Sequence, residues 1–184
     1  MRVIIVPGNH GCEIEENWYL YVKQKLEEKG ISVIAKKMPD AYVARKEIWL
    51  PFIEKELDNS PNSIIVGHSS GAVAAMRYLE TRPLEGVVLV GACHTDLGDE
   101  TERQSNYYST PWQWDTIRKN ARWIIQYHSK DDPFIPVQEA RFVHEKLGTD
   151  YHEDTTEGHY GSSFKEKKAF PELVKAILAK CERM

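Results

Sequence analysis

Ser69, Asp132 and His159 are three residues whose types and order could carry out acyl transfer. Ser69 stands in Ile64-Ile65-Val66-Gly67-His68-Ser69-Ser70-Gly71-Ala72, an apolar run followed by G-x-S-x-G and an Ala-rich run. A serine placed on a sharp bend between a strand and a helix presents its hydroxyl to solvent. Its neighbours two before and two after must then be small, because side chains there would collide. Gly67 and Gly71 meet that demand. The same bend aims the N–H of Ser70 at a reacting carbonyl, and the positive end of the following helix lies close to the developing oxyanion. A serine also needs a neutral base, and the base needs an orienting acid. His128-Ser129-Lys130-Asp131-Asp132-Pro133-Phe134-Ile135-Pro136 supplies an acid, Asp132, in a loop closed by two prolines. Asp132 alone reads first as a turn or helix-cap carboxylate, and the company of Ser69 and His159 reverses that in favour of catalysis. His159 follows a glycine in Thr155-Thr156-Glu157-Gly158-His159. The second oxyanion donor is expected in Pro7-Gly8-Asn9-His10-Gly11, as the backbone N–H of Asn9 or of His10. That loop lacks the G-x-G-x-x-G spacing of a dinucleotide site, so no nucleotide cofactor is expected.

These residues need a scaffold that brings three loops together. Short continuous Val- and Ile-rich runs recur at 3–6, 31–35, 64–66, 87–90 and 123–125, with a weaker one at 150–154. Continuous rather than alternating runs suit strands covered on both faces, hence a parallel sheet. Between them lie segments of helical periodicity, including residues 43–57, 136–147 and 171–182, the last opened by Pro171. The expectation is a single α/β domain over residues 1–184, a doubly wound sheet of about six parallel strands with right-handed crossovers. Ser69, Asp132 and His159 would all follow strands, at the carboxyl edge where open α/β sheets bind ligands.

The connection from 95 to 122 is longer than its neighbours and carries Tyr107, Tyr108, Trp112 and Trp114. These rings either wall a small apolar substrate pocket or seal the sheet edge. Glu13, Glu15 and Glu16 follow the first loop. They either attract a cationic substrate or complement a helix N-terminus.

Composition narrows the partners. With 24 Lys and Arg against 28 Asp and Glu, the chain has no basic footprint for nucleic acid. No apolar run approaches a membrane span and no charged-then-apolar leader is present, so a cytoplasmic protein is expected. Three scattered cysteines form neither a disulfide framework nor a zinc motif, and the histidines lack H-x-x-x-H or H-E-x-x-H spacing, so no metal site is expected.

Several stretches resemble the retinoblastoma-binding protein 9 family of small serine hydrolases, within the α/β-hydrolase superfamily: VIIVPGN at 3–9, IWLPF at 48–52, VGHSSGAVAAMRYLE at 66–80, TDLGDE at 95–100, PWQW at 111–114 and DDPFIP at 131–136. The resemblance implies a Ser69, Asp132 and His159 triad, with the acid directly before the proline as the orienter. It also implies a cofactor-free hydrolase of small esters or amides, esterase or aminopeptidase-like, and a compact fold without a large inserted cap. Short acyl groups would then be preferred, with Tyr107 and Trp112 walling the pocket. Two departures stand out. The run after PGN is His10-Gly11-Cys12, which puts a bulky side chain beside the expected oxyanion hole. The L-x-C-x-E stretch that would bind a retinoblastoma pocket protein is replaced by Leu57-Asp58-Asn59-Ser60-Pro61, so that partnership is not expected. The competing reading is an interaction protein that keeps the hydrolase fold without turnover.

Overall fold

The computed structural model describes residues 1–161 and 165–182. Six strands, β1 (Arg2–Val6), β2 (Ser32–Ile34), β3 (Ser63–His68), β4 (Leu84–Val90), β5 (Ala121–Ser129) and β6 (Asp150–Asp154), form one sheet in the order β2-β1-β3-β4-β5-β6. Every pairing is parallel. The continuous apolar runs are explained by the pleat, which sends successive side chains to opposite faces. Ile4, Val6, Ile65, Val87 and Leu89 enter one core, while Val3, Ile5, Ile64, Val66, Val88 and Val90 enter the other. The first core is covered by α2 (Lys46–Leu57), α3 (Ser70–Leu79) and α6 (Val137–Leu147), and the second by α1 (Tyr19–Glu27) and α7 (Pro171–Cys181). This is the doubly wound α/β-hydrolase architecture expected from the pattern, and no helix among the described residues is long and apolar enough to cross a membrane.

One boundary and one connection differ from the periodicity. Helix α2 starts at Lys46 rather than 43, because the chain first closes a turn in which Ala44 N–H donates to Asp40 O, and Ala44 itself has φ +62°. The connection between β4 and β5 contains α5 (Trp114–Lys119) and a five-residue helix α4 (Glu100–Gln104), which buries no residue and so shows no apolar period. Its start is marked by Asp99, whose side chain accepts the N–H of Glu102 at 3.0 Å.

Helix α3 is buried along its whole length. Arg77 on it donates from Nε to Tyr107 O at 2.8 Å and from its terminal nitrogens to Thr110 O and Pro111 O, and it pairs with Glu80 at 2.7 Å. One buried guanidinium therefore ties down the irregular part of the long connection.

Candidate active site

The site starts from the bend after β3. Ser69 has φ +55° and ψ −121°, a conformation that a non-glycine residue holds only when its surroundings impose it. They do so on both sides: Ser69 N–H donates to Val90 O at 2.8 Å, and its carbonyl accepts the first helical bonds from Ala72 and Val73. A Cβ at Gly67 would stand 2.4 Å from Gly71 O, and one at Gly71 would stand 2.1 Å from Val6 O. Both distances are far inside van der Waals contact, so the glycines are steric requirements of the bend.

His159 arrives on the loop after β6. Its Nδ1–H donates to Asp132 Oδ2 at 2.7 Å, which fixes the tautomer and leaves Nε2 as an acceptor. The other oxygen of Asp132 accepts the N–H groups of Phe134 and Ile135 at 2.9 and 3.0 Å. Burial opposes charge on this carboxylate, whose side chain is 1% exposed, but the bond from His159 and the two N–H donors outweigh it and hold Asp132 below the usual carboxylate range. Asp131 does something else: its Oδ1 accepts Gly158 N–H at 2.8 Å and the Ser129 hydroxyl, tying the two strand-end loops together.

Beneath His159 lies His68, the residue before the bend. Its Nε2–H donates to the backbone carbonyl of His159 at 2.7 Å, and its Nδ1 accepts from the Tyr19 hydroxyl at 2.6 Å. Desolvation, reinforced by His159, pushes the pKa of His68 down to about 3, so it stays neutral and sets the height of the loop that carries His159. In an unfolded chain the same imidazole takes a proton below about 6.5. The unfolded state therefore binds more protons than the native one between about 3 and 6.5, and stability must fall as pH falls, by up to about 1.4 kcal/mol per unit. His128, buried and shifted down in the same way, adds to the trend. Urea midpoints measured from pH 7 to 4 should drop steeply in the wild type and less in His68→Gln, which retains a donor but has no proton to bind. Equal slopes would remove His68 from the explanation.

Ser69, Ser70 and His159 share a cleft of about 590 Å³ with Gly8, Asn9, His10, Cys93, Leu97, Glu102 and Phe134. It lies at the carboxyl edge of the strands, beside the β1 and β3 ends where the strand order reverses. Of the two expected oxyanion donors in the first loop, His10 is corrected: its N–H is already given to Tyr42 O at 3.0 Å, and that of Gly11 to Ala41 O. Asn9 N–H has no partner within the protein among the described residues, and Ser70 N–H heads α3 among the donors a helix leaves free. Two thiols also line the cleft, and neither is a ready nucleophile at neutral pH. Burial raises Cys12 to about 11 and pushes Cys93 higher still.

The four aromatic residues are a second correction, since none of them lines the cleft. Tyr107 is fully buried in the α3 core. Trp112 lies over the Arg77 guanidinium at 3.7 Å, donates its indole N–H to His94 O and stacks on Trp114. Tyr108 sits one layer back, with its hydroxyl 3.2 Å from Glu102 and 3.1 Å from Cys93 Sγ. Arg77 organises the cluster, and nothing in the spacing of the rings revealed which way they would turn. The apolar lining comes instead from Leu97, Phe134 and Ile135. Glu13, Glu15 and Glu16 do not cap a helix, because α1 begins only at Tyr19 with no acid in its first turn. Glu16 lines the cleft and Glu13 pairs with Lys37. Glu102 also lines the cleft, and the one pattern around it in the sequence is the Asp-x-x-Glu at 99–102.

Comparison with known proteins gives the family of the chain and relatives of its fold. The sequence matches the serine hydrolase family over residues 3–175. It is 44% identical over 178 residues to serine hydrolase RBBP9 of Rattus norvegicus, covering 96% of this chain and 93% of the relative. Among solved structures, the ydeN gene product of B. subtilis superposes with a TM-score of 0.87 at 20% identity, covering 98% of each chain. Est1E from Butyrivibrio proteoclasticus, solved with ferulic acid bound, superposes with a TM-score of 0.74 at 13% identity, covering 98% of this chain and 89% of the other.

Proposed function

This chain belongs to the family of small, RBBP9-like serine hydrolases, and from that membership we propose that it cleaves small carboxylic esters or amides through an acyl-enzyme on Ser69. The observation that carries the reading is His159, held by the buried Asp132, in the same cleft as the strained Ser69. In this mechanism the Ser69 hydroxyl proton passes to His159 Nε2 as Oγ bonds to the substrate carbonyl carbon. The carbonyl electrons move onto oxygen, where the N–H groups of Ser70 and Asn9 receive them. Asp132 stabilises the imidazolium, which then gives its proton to the departing alkoxide or amine. Water repeats the sequence in the second half, losing its proton to His159 and restoring Ser69. No step calls on a cofactor. A protein retained only for interaction would have no use for a carboxylate buried against a histidine that lines a cleft.

The cleft also bears on substrate size. The connection between β4 and β5 spends its length on α4, α5 and the aromatic cluster, so it does not roof a long acyl chain, and about 590 Å³ suits a small ligand. Acetyl to butyryl p-nitrophenyl esters are expected to give higher kcat/KM than octanoyl and longer ones. Trp112→Ala should leave that order intact while lowering stability by about 1–3 kcal/mol, since the ring packs on Arg77 rather than on substrate. A series rising toward long chains would contradict the small-substrate reading. An altered order in Trp112→Ala would return the ring to the pocket.

A further inference from the structure

We propose that Glu102 is a positioning residue that holds both sides of the oxyanion hole from the connection between β4 and β5. The inference rests on the reading above, in which Ser69 is the nucleophile and Asn9 and Ser70 supply the donors.

Glu102 Oε1 accepts from Asn9 Nδ2 at 2.6 Å and from the Ser70 hydroxyl at 3.3 Å, while Oε2 accepts from the Tyr108 hydroxyl at 3.2 Å. Asn9 follows β1 and Ser70 begins α3, so a single carboxyl oxygen bridges the two segments whose backbone N–H groups must converge on one substrate atom. Glu102 thus holds the side chain of Asn9, whose backbone N–H has no protein partner among the described residues.

Helix α4 shows why this is the use of Glu102 rather than an accident of packing. It buries no residue, so no core holds it in place. After a capping Asp at 99, a Glu at the third helical position commonly turns back to the N–H of the cap residue. Here the Asp99 N–H is instead taken by Asp96 O, and the Glu102 side chain reaches forward into the cleft. On the far side, Lys46 N–H donates to Ser105 O, which anchors α4 to the start of α2. The helix that carries the carboxyl is therefore tied to α2 on one side, and the carboxyl itself to Asn9, Ser70 and Tyr108 on the other. A negative charge beside an oxyanion would work against catalysis. Burial disfavours that charge, and the three donors disperse what remains of it.

Donors that must meet a developing charge act only when held to within a fraction of an ångström, so the loss should appear in the chemical step. With p-nitrophenyl acetate, Glu102→Ala is expected to lower kcat roughly 10- to 100-fold with KM changed less than about twofold. Alanine favours helix, and Glu102 supports no core contact, so α4 should persist. Glu102→Gln keeps an acceptor at the Oε1 position, and the Tyr108 hydroxyl can turn to accept from the new amide. That variant is expected to recover kcat to within about fivefold of wild type. The same pattern should hold for an uncharged acetyl ester and for a cationic aminoacyl ester.

Three results would overturn the proposal: an unchanged kcat in Glu102→Ala, a Gln variant as impaired as the Ala variant, or a defect confined to the KM of the cationic ester. The last would make Glu102 a substrate ligand. Ser69→Ala run alongside distinguishes failure of the nucleophile assignment from failure of the Glu102 role. If it hydrolyses normally, the underlying reading fails whatever Glu102 does. If it is inert while Glu102→Ala is fully active, only this inference falls.

Discussion

Ser69→Ala is expected to lower kcat on p-nitrophenyl acetate by about 10⁶ while leaving the thermal midpoint nearly unchanged. The size of the loss follows from the way the three side chains act. His159 and Asp132 have nothing to activate once the hydroxyl is gone, so their contributions vanish with it, and only binding and the oxyanion donors remain. The stability expectation comes from the bend. Its geometry is imposed by Gly67, Gly71 and the bond from Ser69 N–H to Val90 O, all of which survive the substitution. The serine hydroxyl makes no hydrogen bond among the described residues, and alanine bears the same positive φ as serine. Steady-state kinetics and a calorimetric scan on the same preparation check both halves.

Asp132→Asn is expected to cost on the order of 10⁴ in kcat, and Asp131→Asn less than about tenfold. The two adjacent acids differ in what an amide can replace. Oδ1 of Asp132 is committed to the N–H groups of Phe134 and Ile135, so an asparagine must keep its oxygen there and turn its NH₂ toward His159. The imidazole would then accept at Nδ1 and carry its proton on Nε2, the wrong tautomer to receive a proton from serine. At Asp131 both incoming bonds, from Gly158 N–H and the Ser129 hydroxyl, reach Oδ1, and an amide oxygen accepts them equally well. The reverse ranking would show that the orienting carboxylate has been misidentified.

The features legible in the chain are those governed by local rules. Continuous Val and Ile runs mark strands buried on both faces, and the two glycines around Ser69 mark a bend that excludes Cβ atoms. The loops bearing Asp132 and His159 were legible because each follows a strand in a sheet whose carboxyl edge is shared. What could not be read depends on contacts between distant segments. Tyr42 takes the N–H of His10 from a loop more than thirty residues away, and no motif announces it. The aromatic cluster turns inward because Arg77, one of the few charged residues in the core, sits where it can bind three carbonyls and a ring. Helix α4 is too short and too exposed to leave an apolar period, so only the partners of Glu102, in the loop after β1 and at the start of α3, single it out.

The most direct test is reaction of the wild-type chain with a fluorophosphonate, followed by peptide mass spectrometry. Attack by the activated hydroxyl displaces fluoride and leaves a phosphonyl group on oxygen. The adduct should appear on the peptide containing Ser69, at one per chain. It should be absent from Ser69→Ala and form far more slowly in Asp132→Asn. An adduct that persists in Ser69→Ala, that maps to another residue, or that never forms in the wild type would contradict the account at its centre.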